Sequence, residues 1–441
     1  MKICVLDVYP KTNYRISKDQ NGQFGTANDY GDNFFSKILK YYVKKNLNIP
    51  PLYVAQVIGE LKKNNHTIVY DTKLNLDPSI DLYIVISSIV CHEEEIKNIN
   101  ILHKLNKKIF TIGPFAGTVS DPYIAAGSKV VLGEPEMFFF DFDEKIPFEK
   151  YDSLVKSVPQ DIDNLSLPGW DVIFQKVVPK FSFLGKGPAI TINASRGCPY
   201  SCFNYCVYPL TQGRKLRLKS PNKLVEEMSY FEQTLGVKNF IFRDPVFSID
   251  KKHTIEICNK IIESKKKFNI CVETHLKNID EELTYLFKKS GINLIYVGIE
   301  SADEGVLSNA KRVSDTYLNQ IKKIDFLEKN GIRVKAMYIL GLPEDTRDTF
   351  LQTVKYAQKI CSSYAQFSVF TPYPGTPIFQ EYKEKINVKK YEEFNQWQLV
   401  FDHPNFSKTD VRNLLSLAYK KYYTSPKWIV KFTIRYVSSF F

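Results

Sequence analysis

At 441 residues, with 44% hydrophobic and 24% charged side chains, the chain has the composition of a globular protein large enough for two or three domains. The net charge is +12, from 60 Lys+Arg against 48 Asp+Glu, but lysine is spread along the chain and Lys265-Lys266-Lys267 is its longest run. That pattern reads as a solvated basic surface suited to phosphate-bearing ligands rather than a nucleic-acid-binding tail. No apolar stretch approaches the roughly 20 residues needed to span a bilayer. Met1 to Val8 is followed directly by Tyr9-Pro10 and reads as a first strand, not a secretory leader, so the expected location is the cytoplasm.

The first part alternates strand and helix. Ile3 to Val8 reads as a strand, and Phe34 to Val43 and Val54 to Lys62 read as helices. Thr67 to Tyr70, Leu82 to Ile86, Lys108 to Ile112 and Lys129 to Leu132 are short apolar strands, with a helical piece at Glu93 to Leu105. This predicts a doubly wound, Rossmann-like parallel sheet over residues 1–140, covered on both faces and binding ligands at the carboxyl ends of its strands. No Gly-x-Gly-x-x-Gly follows the first strand, so a dinucleotide reading lacks support. Residues 141–185, with frequent Asp, Lys and Pro and the run Leu167-Pro168-Gly169-Trp170, read as a connector.

Over residues 186–383 a strand–helix unit recurs about every 30 residues. The strands are Ala189 to Asn193, Asn239 to Arg243, Ile270 to Thr274, Leu294 to Ile299, Val334 to Leu340 and Gln366 to Phe370. Ser220-Pro221 opens the first helix with proline in its first turn. Six units predict an α/β fold with a partial (β/α)6 barrel of TIM type, whose βα loops build the active site. Polar groups stand at the strand ends: Asp244, then Glu273 and His275, then Glu300-Ser301, then Gly341-Leu342-Pro343-Glu344. Residues 384–441 read as an aromatic helical extension. Its end, Trp428 to Val437, is expected to pack on the barrel, with peripheral contact to a membrane as the alternative.

The loop after the first barrel strand holds three cysteines within nine residues, Cys198, Cys202 and Cys206. Three thiolates can hold three irons of a four-iron cluster and leave the fourth iron open to a substrate. A structural zinc site wants four closed ligands, and the next cysteine or histidine is His253. A disulfide would leave one thiol over. The remaining alternative is three ordinary thiols in a loop. Cys4, Cys91, Cys258, Cys271 and Cys361 read as small apolar residues, with Cys91 near the ligand face of the first sheet.

The run Arg196-Gly197-Cys198-Pro199-Tyr200-Ser201-Cys202, followed by Cys206-Val207-Tyr208-Pro209, resembles the radical S-adenosylmethionine enzymes, and most closely the subgroup with an N-terminal cobalamin-binding domain. The resemblance covers roughly residues 1–380. The family spaces its last two cysteines by two residues; here Phe203, Asn204 and Tyr205 intervene. The resemblance implies a 4Fe-4S cluster on the three cysteines, with S-adenosylmethionine at the open iron and Tyr205 near the adenine. It implies that Glu300 and Ser301 contact the ribose or methionine part and that Gly341 lets the cofactor approach. It also implies cobalamin against the loops bearing Gly113, Gly117, Gly133 and Glu134, and against Phe24-Gly25-Thr26-Ala27. None of His66, His92 and His103 has aspartate two positions before it, so histidine ligation of cobalamin is not expected.

The activity so implied is reductive cleavage of S-adenosylmethionine to a 5′-deoxyadenosyl radical, followed by methylation of an unactivated carbon. A small-molecule or lipid-like substrate is expected, as is an electron donor such as flavodoxin or ferredoxin. Radical rearrangement or cyclisation without methyl transfer, and a non-catalytic iron–sulfur protein, are the alternatives. Nucleic acid is not the expected substrate, because relatives of that kind carry an additional RNA-binding domain.

Overall fold

The computed structural model describes residues 1–200, 202, 205–309 and 315–438, which form two six-stranded parallel sheets sharing one continuous apolar core. The first sheet contains β1 (Lys2–Leu6), β2 (Thr67–Asp71), β3 (Leu82–Ile86), β4 (Lys108–Ile112), β5 (Lys129–Leu132) and β6 (Leu154–Lys156), in the order β2-β1-β3-β4-β5-β6. Every pairing is parallel. β3 is buried along its whole length, as a strand covered on both faces should be. β6 lies within the segment read as a connector. At three residues, two of them exposed, it is too short to carry a periodic signal.

The strand order reverses at β1, so a ligand crevice is expected at its carboxyl end. The chain fills that place itself. Lys18 is wholly buried there; it donates to Glu95 at 2.8 Å and to the Ile86 carbonyl at 2.9 Å, and pairs with Asp7 at 3.1 Å. Burial opposes the ammonium charge, but Glu95 and Asp7 outweigh it and raise the lysine pKa.

The second sheet contains β7 (Ala189–Ile192), β8 (Asn239–Phe242), β9 (Asn269–Thr274), β10 (Ile292–Glu300), β11 (Arg333–Leu340) and β12 (Tyr364–Val369). They pair in chain order and in parallel, as an open barrel. Its helices start and stop on local signals. The helix Glu281–Ser290 opens on Asp280, whose side chain accepts from the Leu283 N–H, and closes on left-handed Gly291.

Three further helices frame the barrel: α1 (Phe34–Asn46), α2 (Lys408–Tyr423) and α3 (Pro426–Ser438). An open barrel leaves the backbone of β12 unpaired on one side. Tyrosines of α2 satisfy it. The Tyr419 hydroxyl accepts from Phe367 N–H at 3.0 Å and donates to its carbonyl at 2.8 Å, and Tyr423 does the same at Ala365, at 3.0 and 2.9 Å. α3 also packs on the barrel side, through Trp428 donating to the Ser363 carbonyl at 3.1 Å. The stretch 384–407, read as helical, holds a 3-10 turn at Tyr391–Glu393 but no α-helix. Its aromatic residues, such as buried Trp397, fill the core without a helical period.

Candidate functional site

The cysteine loop is tied down on two sides. Ser195–Arg196 pairs antiparallel with Arg217–Leu218, so the chain leaves and re-enters the site along one short ribbon. Gly197 between them has φ +86°, and a β-carbon there would lie 2.1 Å from the Lys215 carbonyl oxygen, so only glycine fits. On the barrel side, buried Asp244 accepts from the Ser195 hydroxyl at 2.6 Å and from the Ala194 N–H at 3.1 Å. Burial pushes its carboxyl up to about 6. On the first-sheet side, Glu134 takes Arg217 bidentately at 2.7 and 2.6 Å and Arg196 at 3.2 Å, while Glu136 takes Arg196 at 2.5 Å. Burial works against ionised Glu134, yet the two guanidiniums hold its carboxyl below the usual range.

Cys198, Cys202 and Cys206 line one cavity of about 220 Å3 at the carboxyl end of the barrel. Cys198 is buried and the other two half-buried. Ser201, Phe203 and Asn204 lie outside the described residues, so the enlarged gap is placed only at Tyr205. Among the described residues no three His, Cys, Asp or Glu side chains close on a single metal ion. The donor set is three thiols sharing one cavity wall, which is the chemistry a cluster with one open iron requires.

The same cavity collects several of the expected residues. Tyr205 lines it, its ring edge-on to Phe370 at 5.9 Å. Glu273 and His275 line it from the end of β9. Glu300 lines it from the end of β10, and its backbone is unusual: φ is +68°, and the register against β11 shifts between Gly298 and Glu300. Such a bulge re-aims a side chain, here into the cavity.

Other expected residues lie elsewhere. Ser301 is buried beside the cavity wall; its hydroxyl accepts from the Asp303 N–H at 3.1 Å and lies 3.4 Å from the Thr353 hydroxyl. Gly341 has φ +70°, with a built β-carbon 3.9 Å from Val369 and Val411. Gly133 and Glu134 border a small space of about 30 Å3 between the sheets, which Gln56 and Asn193 also line. Gly117 has no atom within 4 Å of an added β-carbon, whereas Gly113 has the Tyr53 hydroxyl at 2.6 Å.

Among the cavity residues that the sequence reading did not assign to the site are Arg243, Lys335, Tyr296 and Gln20. Arg243, at the end of β8, pairs with buried Asp19 of the first part, which Arg15 also holds at 2.7 Å. Burial opposes the Asp19 charge, but Arg15 and Arg243 keep its carboxyl low. Lys335 points inward from β11 with its ammonium 4.4 Å over the Tyr296 ring. Burial lowers its pKa to about 8. The signal available was alternation: Lys335, Met337 and Ile339 on β11 and Gln366 and Ser368 on β12 all face the cavity.

Residues 192–357 match the family model of the Radical SAM superfamily. Among curated proteins, an uncharacterized methyltransferase of Pyrococcus horikoshii is 28% identical over 276 residues, covering 62% of this chain and 58% of that protein. The anaerobic magnesium-protoporphyrin IX monomethyl ester cyclase of Rubrivivax gelatinosus is 26% identical over 392 residues, covering 79% of this chain and 69% of that protein. The chain thus spans about three fifths to two thirds of the length of these relatives. Among solved structures, the radical S-adenosylmethionine methyltransferase TsrM of Kitasatospora setae, with tryptophan substrate and an S-adenosylmethionine analogue bound, superposes with a TM-score of 0.67. At 14% identity, and with 93% of this chain and 88% of that one covered, the likeness is one of fold.

Proposed function

The chain carries a radical SAM domain, and from that premise we propose that it is an enzyme that cleaves S-adenosylmethionine reductively and methylates an unactivated carbon of a small-molecule or lipid-like substrate. The observation that carries the proposal is the shared cavity: three cysteines on the first βα loop, with Glu273 and Glu300 in the same lining, at the carboxyl rim of the barrel. When bound, the cluster supplies the electron that breaks the carbon–sulfur bond, and cobalamin supplies the methyl group.

The residues of the chain bind, orient and shield. Cys198, Cys202 and Cys206 hold the cluster on a loop that Asp244, Glu134 and Glu136 keep from shifting. Glu300 accepts from the hydroxyl or ammonium donors of S-adenosylmethionine. Tyr205 covers the adenine side. The Arg243–Asp19 pair closes the cavity toward the first sheet and keeps water out. Cobalamin would be held at the seam between the sheets, where Pro114, Glu134 and the φ +84° turn at Gly133 border the gap. The spaces there, about 30 and 220 Å3, are small beside a corrin.

Anaerobic reconstitution tests the reading. About four irons per chain and 5′-deoxyadenosine release are expected, both lost on Cys→Ala at 198, 202 or 206. Full activity in Cys206→Ala would remove that ligand from the set. A second reading, radical cyclisation, draws on the likeness to the Rubrivivax cyclase. Label from methyl-labelled S-adenosylmethionine in the product supports methylation; deoxyadenosine with unlabelled product supports cyclisation.

A further inference from the structure

A second cavity, of about 310 Å3, adjoins the cysteine cavity: Gln20, Tyr296, Lys335 and Gln366 line both. Its walls differ in kind. They are built from Phe35 and Leu39 of α1, Tyr419 and Tyr423 of α2, and Trp428 and Phe432 of α3. The rings run on without a break. Phe35 stacks on Tyr423 at 6.2 Å, Tyr423 meets Trp428 edge-on at 4.9 Å, and Trp428 stacks on Phe432 at 4.9 Å. An apolar cavity of about 150 Å3 stays dry and takes benzene. This one has room for a hydrocarbon unit about twice that size.

The two ends of the cavity are chemically distinct. At the inner end, where it joins the cysteine cavity, stands Lys335. Among the described residues its ammonium makes no ion pair, and it lies over the Tyr296 ring. It can donate to a polar group held at the neck. At the outer end, the helices that wall the cavity turn apolar rows to solvent. On α1, Phe34, Ile38 and Tyr41 are 80, 51 and 66% exposed, at spacings that share one helix face. On α3, Val430 and Ile434 are 58 and 63% exposed, again four apart. Neither helix contains an acidic residue; Lys37, Lys44 and Lys45 of α1 and Lys427 of α3 are exposed, while Lys40 and Lys431 are held by Asp29 and Glu328. Apolar rows among lysines are the mark of a helix that lies in a membrane interface, and the charge suits anionic headgroups.

We propose that α1 and α3 dock on an anionic bilayer surface, and that an amphiphilic substrate passes from it into the aromatic cavity, hydrocarbon part inside and polar end toward Lys335. This rests on the radical-enzyme reading for what is done to the substrate, but not for binding. The polar end then lies at the neck of the cysteine cavity, so the reacting carbon is one near that end.

Neither test needs cluster or S-adenosylmethionine, so the outcome is separate from the deoxyadenosine assay. In cosedimentation, the full-length chain should bind vesicles of mixed phosphatidylglycerol and phosphatidylcholine at least about 10-fold more tightly than pure phosphatidylcholine vesicles. Phe34→Ser with Ile38→Ser and Ile434→Ser, all at exposed positions, should weaken that binding about 10-fold or more. Dodecanoate binding, read by displacement of a fluorescent naphthalene sulfonate, should weaken about 10-fold in Leu39→Trp, which fills the cavity, and in Lys335→Met, which removes the donor. Vesicle binding should survive both changes. Unaltered vesicle binding in the triple variant would overturn the docking face. Unaltered dodecanoate binding in both cavity variants would overturn the tail site. Self-association abolished by the triple substitution, with no vesicle binding, would show a dimer interface and also overturn the proposal.

Discussion

Glu300 offers a test in which two substitutions at one position pull stability and binding apart. It closes β10 at φ +68°, a left-handed conformation that costs a residue with a β-carbon about 1–2 kcal/mol. The bulge against β11 holds it there, and its side chain, 8% exposed, lines the cysteine cavity. Strain of this sort persists where the surroundings over-determine it, often at a functional site. Glu300→Gln keeps backbone and shape and removes the charge. A hydrogen bond to a charged group is worth about 1.5–3 kcal/mol, so S-adenosylmethionine affinity should fall about 10- to 150-fold. Glu300→Gly removes the same contacts but also relieves the backbone. That relief is offset in part by about 0.5–1 kcal/mol of extra glycine entropy in the unfolded chain. Isothermal titration under anaerobic conditions, with iron content and melting temperature measured alongside, distinguishes the outcomes. Both variants should bind weakly with full iron, and the glycine variant should melt no lower than the parent. Unchanged affinity in Glu300→Gln together with a lower melting temperature in Glu300→Gly would refute the reasoning and make the carboxylate a structural anchor.

Glu134→Gln removes the charge that Arg196 and Arg217 share; both Glu134 and Arg217 are half-buried and Arg196 keeps Glu136, so the cost should stay below the roughly 3–5 kcal/mol of a fully buried pair; reconstituted iron should fall with stability, whereas lost cobalamin binding at full iron and unchanged melting would make Glu134 a cofactor contact instead. Lys18→Met leaves Asp7 and Glu95 buried without their cation, so urea unfolding should show a loss of about 3–5 kcal/mol; a loss under about 1 kcal/mol would mean the carboxyls protonate cheaply. Asp244 titrates at about 6 against an ordinary 3.8. A raised folded-state value favours the protonated form, so its stabilisation is full below the ordinary value and is lost as pH rises through about 6, at most about 3 kcal/mol. Asp345, also pushed up to about 6 by burial, acts in the same window. Asp244→Asn should therefore lose less stability between about pH 4 and 6.5 than the parent, and equal slopes would contradict the assignment.

The strands were the legible part of the chain. Leu82–Ile86, Lys108–Ile112 and Lys129–Leu132 stand where the apolar runs put them, because fully buried parallel strands announce themselves as short apolar blocks bounded by turns. β6 and the irregular stretch 384–407 were not legible, since three residues carry no period and aromatic residues fill a core in loops as readily as in helices. At the site, the cysteine spacing and the strand-end positions pointed to Glu273, His275 and Glu300, and all three line the cavity. What sequence could not yield were pairings across the chain. Arg243 reads as one more basic residue until Asp19, more than 200 positions away, is found against it. Lys18 reads as a loop lysine until Asp7 and Glu95 close on it.

Those distant pairs also bear on how the first sheet is joined to the barrel. If it served only to carry a cofactor, its contacts with the barrel could be loose and wet. Instead, charged contacts from the first part converge on residues at the cysteine loop and the cavity rim. Glu134 and Glu136 grip the arginine directly before Gly197-Cys198, and Asp19 grips the arginine at the rim of β8. Gln56 adds a neutral bond to Asn193, at the end of β7, at 3.2 Å. All of these groups but half-buried Glu134 are buried, so breaking such a contact leaves an unsatisfied polar group and costs far more than a surface contact would. The sheets are therefore coupled at the cysteine loop itself. A displacement of the first sheet would be felt at Arg196, two residues from Cys198.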